Sequence, residues 1–396
     1  MEEDTEQNSR VSDQGSFLLT PDPWPLTPAP GLYLHVPFCR SKCPYCDFYS
    51  VTDQALIPAY LQAMEKEAGL YREAFGAFDT LYLGGGTPSW LEASQLTALL
   101  ASVRRHFHFA ADTEFTIEAN PDDITPEKLR LFIELGINRL SLGVQSLDEG
   151  ELRFLGRRHT ARQAWRAMEL ARDAGFGNLG VDLMYGLPGQ RQDTWIRTLE
   201  QVLAFSPEHL SCYQLTLAPD TPLGRRAARG EVTPLVEEAE RAFFLLTAQF
   251  LTDRGLIHYE VANFARQEKY CCRHNRKYWR HEPYLGLGPG AHSFDGGQRW
   301  WNFSSVEQYG SSLNAGQAAV AGAETLTPTQ LRLEALYLGF RTREGVSLDL
   351  LRPQPRWRTV LAELRRSGLV RVADGRLVTT PQGMVVAERL PLCFVE

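Results

Sequence analysis

Between Gly31 and Pro219, short apolar or β-branched runs alternate with stretches whose apolar positions repeat at helical spacing. The runs at 31–38, 80–84, 114–119, 139–144, 179–184 and 210–216 predict strands, and 56–75, 92–105, 126–135, 160–174 and 191–204 predict helices between them. Strand and helix in such alternation mean a parallel sheet with crossover helices. A closed eight-fold barrel takes about 250 residues, whereas the six units here fit into roughly 190, so the pattern predicts an open partial (βα)6 barrel, an α/β fold. The reactive face of such a barrel lies at the carboxyl ends of its strands.

Downstream the rhythm changes. Residues 234–254 predict one long helix and His258–Phe264 a further strand, while 311–326, rich in Ala, Gly and Ser, reads as a linker after a barrel region of 31–310. From Thr327 helices are predicted at 328–340, 347–352 and 356–367, then a hairpin whose arms, 368–372 and 376–380, flank Asp374-Gly375. Three helices and a hairpin make a winged-helix-like α+β cap over 327–396. Residues 1–30 are acidic and rich in Ser and Pro, without the apolar core of a secretory signal or the Arg-rich amphipathy of a mitochondrial presequence, and read as a disordered tail.

Composition narrows the field. With 43% hydrophobic and 22% charged residues the chain has the make-up of a soluble globular protein, and no apolar run approaches the roughly 20 residues that span a bilayer. A formal charge of −7 offers no basic field for nucleic acid, so the winged shape points to a capping role rather than to DNA. Seven cysteines, with two adjacent at Cys271-Cys272, argue for a reducing, cytoplasmic setting over a disulfide framework.

The chemistry centres on Cys39, Cys43 and Cys46, directly after the first predicted strand. Three thiols in eight residues are ligands rather than disulfide partners, and thiolates suit iron–sulfur clusters, zinc or copper(I). A four-iron cluster held by three sulfurs keeps one iron open; a structural zinc would instead need a fourth ligand such as His35. Other unusual residues follow the ends of later strands: Gly84-Gly85-Gly86-Thr87-Pro88, then Glu118-Ala119-Asn120-Pro121, Gln145, and Asp182 with Tyr185-Gly186-Leu187-Pro188. All are expected on one rim. Three successive glycines permit a backbone approach that a β-carbon blocks, but no Gly-Lys-Ser/Thr ending marks a nucleotide triphosphatase. Carboxylates such as Glu118 and Asp182 can accept from ribose hydroxyls or an amino group, and Arg157 can pair with a carboxylate.

The cysteine spacing followed by an aromatic residue resembles the radical S-adenosylmethionine (SAM) superfamily. Tyr33-Leu-His35-Val-Pro37-Phe38-Cys39, the Gly84–Pro88 turn, Ile117-Glu118, Gly143-Val-Gln145-Ser146, Arg157 and Asp182–Pro188 are similar to the oxygen-independent coproporphyrinogen III oxidase family, from about residue 31 to the C-terminus. The resemblance implies a [4Fe-4S] cluster on the three cysteines, with SAM chelating the open iron. It implies SAM contacts at Tyr33, Tyr45, Gly85, Gly86, Thr87, Glu118, Gln145, Arg157 and Asp182. The oxidase carries a fourth cysteine where this chain has Phe48, a departure shared with the HemW-type haem chaperones. Those chaperones also carry His-Asn-x-x-Tyr-Trp, present here as His274-Asn275-Arg276-Lys277-Tyr278-Trp279. The resemblance therefore implies haem as cargo and acceptor haemoproteins as partners, with oxidase activity as the alternative. Around that motif His274, His281, His292, Cys271 and Cys272 could ligate iron, Tyr278, Trp279 and Tyr284 could stack on a porphyrin, and Arg273, Arg276, Lys277 and Arg280 could meet propionates.

Overall fold

The computed structural model describes residues 28–394, so the tail predicted over 1–30 falls almost entirely outside the described residues. Six parallel strands run β1 (Gly31–Val36), β2 (Phe78–Gly85), β3 (Phe109–Ala119), β4 (Arg139–Gln145), β5 (Leu179–Tyr185) and β6 (His209–Gln214), each hydrogen-bonded to the next. Their crossovers are helical: α1 (Ile57–Tyr71), α2 (Ala93–His106), α3 (Pro126–Glu134), α4 (Glu149–Phe154) with α5 (Ala161–Asp173), and α6 (Gln192–Phe205). The predicted six-unit open barrel is therefore present, with β2 and β3 starting earlier than expected.

Side chains alternate along each strand. Leu32, Leu34, Leu81, Leu83, Ile117, Leu140, Leu142, Val181 and Leu210 face the helices in one continuous apolar core. The opposite face carries Tyr33, His35, Thr80, Tyr82, Glu114, Glu118, Ser141, Asp182 and Ser211, so the barrel interior is polar. Burial of that interior in turn demands hydrogen-bond partners for every group in it.

The sheet is wider than six strands. After α7 (Pro222–Ala228) and α8 (Glu237–Thr252), the expected single strand at 258–264 is instead a turn between β7 (Ile257–His258) and β8 (Asn263–Ala265), which pair antiparallel and add to β6. A break there follows from Glu260 and Asn263, buried polar residues bonded to each other in the turn. Helix α9 (Arg273–Trp279) carries the His-Asn-x-x-Tyr-Trp motif. Beyond it, β9 (Tyr284–Leu287) lies parallel to β1, and β10 (His292–Phe294), β11 (Gln298–Asn302) and β12 (Val320–Thr325) continue as an antiparallel meander. The expected linker at 311–326 is thus the end of α10 (Val306–Asn314) and the edge strand β12. Its Ala and Gly residues are small because strands pack there: a β-carbon on Gly322 would stand 2.4 Å from the Trp301 ring.

The cap has its own apolar cluster around Leu336, Phe340, Leu351, Leu377 and Phe394. It comprises α11 (Pro328–Gly339), β13 (Val346–Ser347), α12 (Trp357–Arg366), β14 (Val370–Ala373), β15 (Arg376–Thr379) and α13 (Pro381–Met384), with strand order β13-β15-β14. Asp374 and Gly375, both at positive φ, close the wing hairpin as expected. The helix predicted over 347–352 is only a 3-10 turn, Leu348–Leu351.

Candidate functional site

The loop bearing the cysteines is tied at its neck. Val51 donates to Pro37 O at 2.7 Å and Cys39 N to Val51 O at 2.9 Å, so residues 39–50 form a closed excursion at the carboxyl end of β1. The three glycines fix that neck to β2. Gly86 N donates to Val36 O and Thr87 N to Phe38 O, both at 2.8 Å, and a β-carbon on Gly86 would stand 2.8 Å from backbone atoms of β1 and Pro37. Gly85, at φ +105, would meet the His35 ring at 2.5 Å. The glycines are needed first for this contact between chain segments.

Around the thiols lie donors. Thr87 Oγ1 is 3.4 Å from Cys39 Sγ and Arg157 Nη1 is 3.4 Å from Cys43 Sγ. Burial pushes the Cys39 and Cys46 thiols up, against hydrogen bonds from Thr87 and from the Phe48 backbone respectively; a bound cation reverses that and deprotonates the thiol. The zinc alternative does not fit. His35 spends Nδ1 on Tyr33 OH (3.2 Å) and Nε2 on Tyr49 O (3.1 Å), and among the described residues no three Cys, His, Asp or Glu side chains close around a single ion. A cubane needs one thiol for each ligated iron, and the closed excursion carries three, all free.

The other rim residues meet beside this loop. Glu118 accepts from Tyr82 OH at 2.8 Å and Gly85 N at 3.3 Å; burial pushes its carboxyl up to about 7, although the Tyr82 bond opposes the rise. Asp182 accepts from Ser141 Oγ at 3.0 Å, and burial raises it too. Arg157 Nη2 donates to Asn120 Oδ1 (2.5 Å) and Gly143 O (2.8 Å), and its Nη1 reaches Tyr45 OH at 3.5 Å. Gln145 is held at φ +65, a conformation rare outside glycine. Among the described residues, neither Gln145 Oε1 nor Arg157 Nε, both buried, has a hydrogen-bond partner. The pair presents an acceptor and a donor that a polar ligand can satisfy. Asn120, which sequence reasoning left unassigned, bridges Thr87 Oγ1 (3.2 Å) to Arg157. Its position in the run Glu118–Pro121 was the available signal.

The motif helix stands at the other end of the barrel, by the amino ends of the strands. Glu114 of β3 caps it, taking Arg273 N and His274 N at 3.2 Å each. His274 is buried, with Nδ1 2.9 Å from Thr80 Oγ1 and Nε2 2.8 Å from Tyr278 OH, and its ring stacks on Tyr82 at 5.1 Å. Both nitrogens being used, His274 is a pin for the helix and offers iron no lone pair. Cys271 and Cys272 are buried as well. The bases expected to meet propionates are paired within the protein: Arg273 with Asp79 and Asp112, Arg276 with Glu268 and Glu344, Lys277 with Asp79 and Glu282, and Arg280 with Glu344. Trp279 lies under Arg341 of the cap at 5.3 Å. Asn275 sits within the helix and makes no side-chain bond among the described residues. The turn at Gly288 to Gly290 is pinned: Gly288 N donates to buried Glu67 at 2.8 Å.

Comparison with known proteins decides the family. Residues 33–202 match the radical SAM superfamily and residues 326–386 the HemN C-terminal domain. A curated relative, heme chaperone HemW of Mycobacterium tuberculosis, is 36% identical over 375 residues, covering 92% of this chain and 95% of that protein. The chain belongs to the HemW family of radical SAM proteins. HemW of Bacillus subtilis is 33% identical, over 90% of this chain and 97% of its own. Among solved structures, coproporphyrinogen III oxidase (HemN) of Escherichia coli, described as a radical SAM enzyme, superposes with a TM-score of 0.78 at 25% identity, covering 92% and 90% of the two chains. Membership of the superfamily implies a [4Fe-4S] cluster and SAM, and the rim of this HemW-family chain has the donors for both. No helix among the described residues is long and apolar enough to cross a membrane.

Proposed function

We propose that the protein is a haem carrier, which binds haem and delivers it to acceptor haemoproteins in the cytoplasm. The observation that carries this reading is Phe48. It stands where the related oxidase has a fourth cysteine, it is 67% exposed beside the thiol loop, and the relatives matched over nearly the whole chain are named heme chaperones.

On this reading Cys39, Cys43 and Cys46 hold three irons of the cluster, and Thr87 and Arg157 temper the charge on their sulfurs. Gln145, Arg157, Glu118 and Asp182 orient SAM, whose bound form supplies a reducible sulfonium. The polar interior closes on its partners so that water is kept from that site. Because Glu118 titrates near 7, a cationic ligand beside it should bind about tenfold more tightly at pH 8 than at pH 6, and Glu118→Gln should flatten that dependence. Equilibrium dialysis of SAM against the reconstituted protein measures this.

A second reading, oxidative decarboxylation of coproporphyrinogen III, is favoured by the likeness to the oxidase structure. Anaerobic incubation of the reconstituted protein with SAM, reductant and coproporphyrinogen III separates the two. The carrier reading expects a haem complex on titration and no protoporphyrinogen; product formation would overturn it.

A further inference from the structure

Where β9, β10 and β11 meet α11 of the cap there is a cavity of about 350 Å³, walled by Tyr278, Tyr284, Phe294 and Tyr337, with His281 and Arg299 as its polar groups and Glu334 between them. We propose that this cavity takes one edge of the haem macrocycle, with His281 as the iron ligand. The proposal rests on the haem-carrier reading and gives it a place.

His281 is set up as a ligand in a way that His274 is not. Its ring stacks on Phe294, with centroids 4.3 Å apart and planes 8° from parallel, and Nε2 lies 3.0 Å from Glu334 Oε2. The nitrogen that Glu334 does not hold has no hydrogen-bond partner among the described residues. A carboxylate behind one imidazole nitrogen, leaving the other for a metal, is the usual arrangement at histidine-ligated metals. Glu334 also takes Arg299 Nη2 at 2.8 Å, and Glu324 takes the same nitrogen at 2.6 Å, so the guanidinium serves to fix the carboxylate that holds His281. By contrast His274 spends both ring nitrogens on internal hydrogen bonds, and His35, His159, His209 and His258 bond groups that do not line this cavity.

The backbone supports the assignment independently. His281 directly follows the capping residue of α9, with φ +56; its N–H reaches Tyr278 O and that of Glu282 reaches Lys277 O. This left-handed position after a helix usually takes glycine, so the chain holds an imidazole where the turn alone asks for none. The cavity is small by the standard of ligand sites, which suits a cargo gripped at one edge and later released.

The same left-handed position provides the test, because His281→Gly removes the ring without straining the turn. The purified full chain is titrated with ferric haem and read by absorption and electron paramagnetic resonance. The wild type is expected to show a nitrogen-ligated signature that His281→Gly loses and that added imidazole restores. Glu334→Gln should weaken haem binding roughly 10- to 100-fold. An unchanged signature in His281→Gly overturns this site while leaving the carrier reading intact. Failure of the wild type to bind haem overturns both.

Discussion

Cys39→Ala is expected to reduce the iron and sulfide of the anaerobically reconstituted protein from about four of each per chain to near zero. The neck of the thiol loop is held by backbone hydrogen bonds between Pro37, Cys39 and Val51, so the variant should keep the fold while losing a corner ligand. With only three thiols in the loop, no spare sulfur is at hand: Cys212, Cys271 and Cys272 are buried elsewhere and Cys393 belongs to the cap. Elemental analysis and the charge-transfer absorption bleached by dithionite provide the readout. A variant with its full iron complement would remove the ligand assignment and with it the SAM site.

The second large effect is on stability. Glu67 of α1 is buried and accepts from Gly288 N at 2.8 Å, Asn302 Nδ2 at 2.5 Å and Tyr309 OH at 2.5 Å, tying α1 to the meander and to α10. Glu67→Ala leaves these donors unpaired in a dry site, at about 1–3 kcal/mol each, so a loss of roughly 3 kcal/mol or more is expected in urea unfolding. Burial raises this carboxyl from its ordinary 4.5 to about 7 against all three hydrogen bonds. A folded-state value above the unfolded one means that the native state binds the extra proton. Glu67's contribution is thus fully present below about pH 4.5 and is lost as pH rises through 7. Glu67→Gln, which mimics the neutral acid, should remove this part of the pH profile; a profile identical to wild type would show that Glu67 is not the titrating group.

Much of this was legible in the sequence, for reasons that differ by residue. The six βα units declared themselves through hydrophobic periodicity, and the cysteine spacing and Phe48 through local order alone. The His-Asn-x-x-Tyr-Trp segment was visible as a motif, but not which of its groups are already paired within the protein. Spacing does not reveal that Asp79, Glu114 and Glu344, remote in the chain, join the neighbouring Glu268 and Glu282 in satisfying its bases and its helix start. The meander strand β12 was missed because Ala and Gly carry little strand propensity and are there to admit Trp301. His281 could have been noticed as a histidine standing where a helix end would normally take glycine, but only once the end of α9 was known.

The motif helix, wedged under Tyr82 and capped by Glu114, acts as a floor to the barrel. On the readings proposed above, a guest at the thiol loop and one at the cap cavity would therefore lie on opposite sides of that helix.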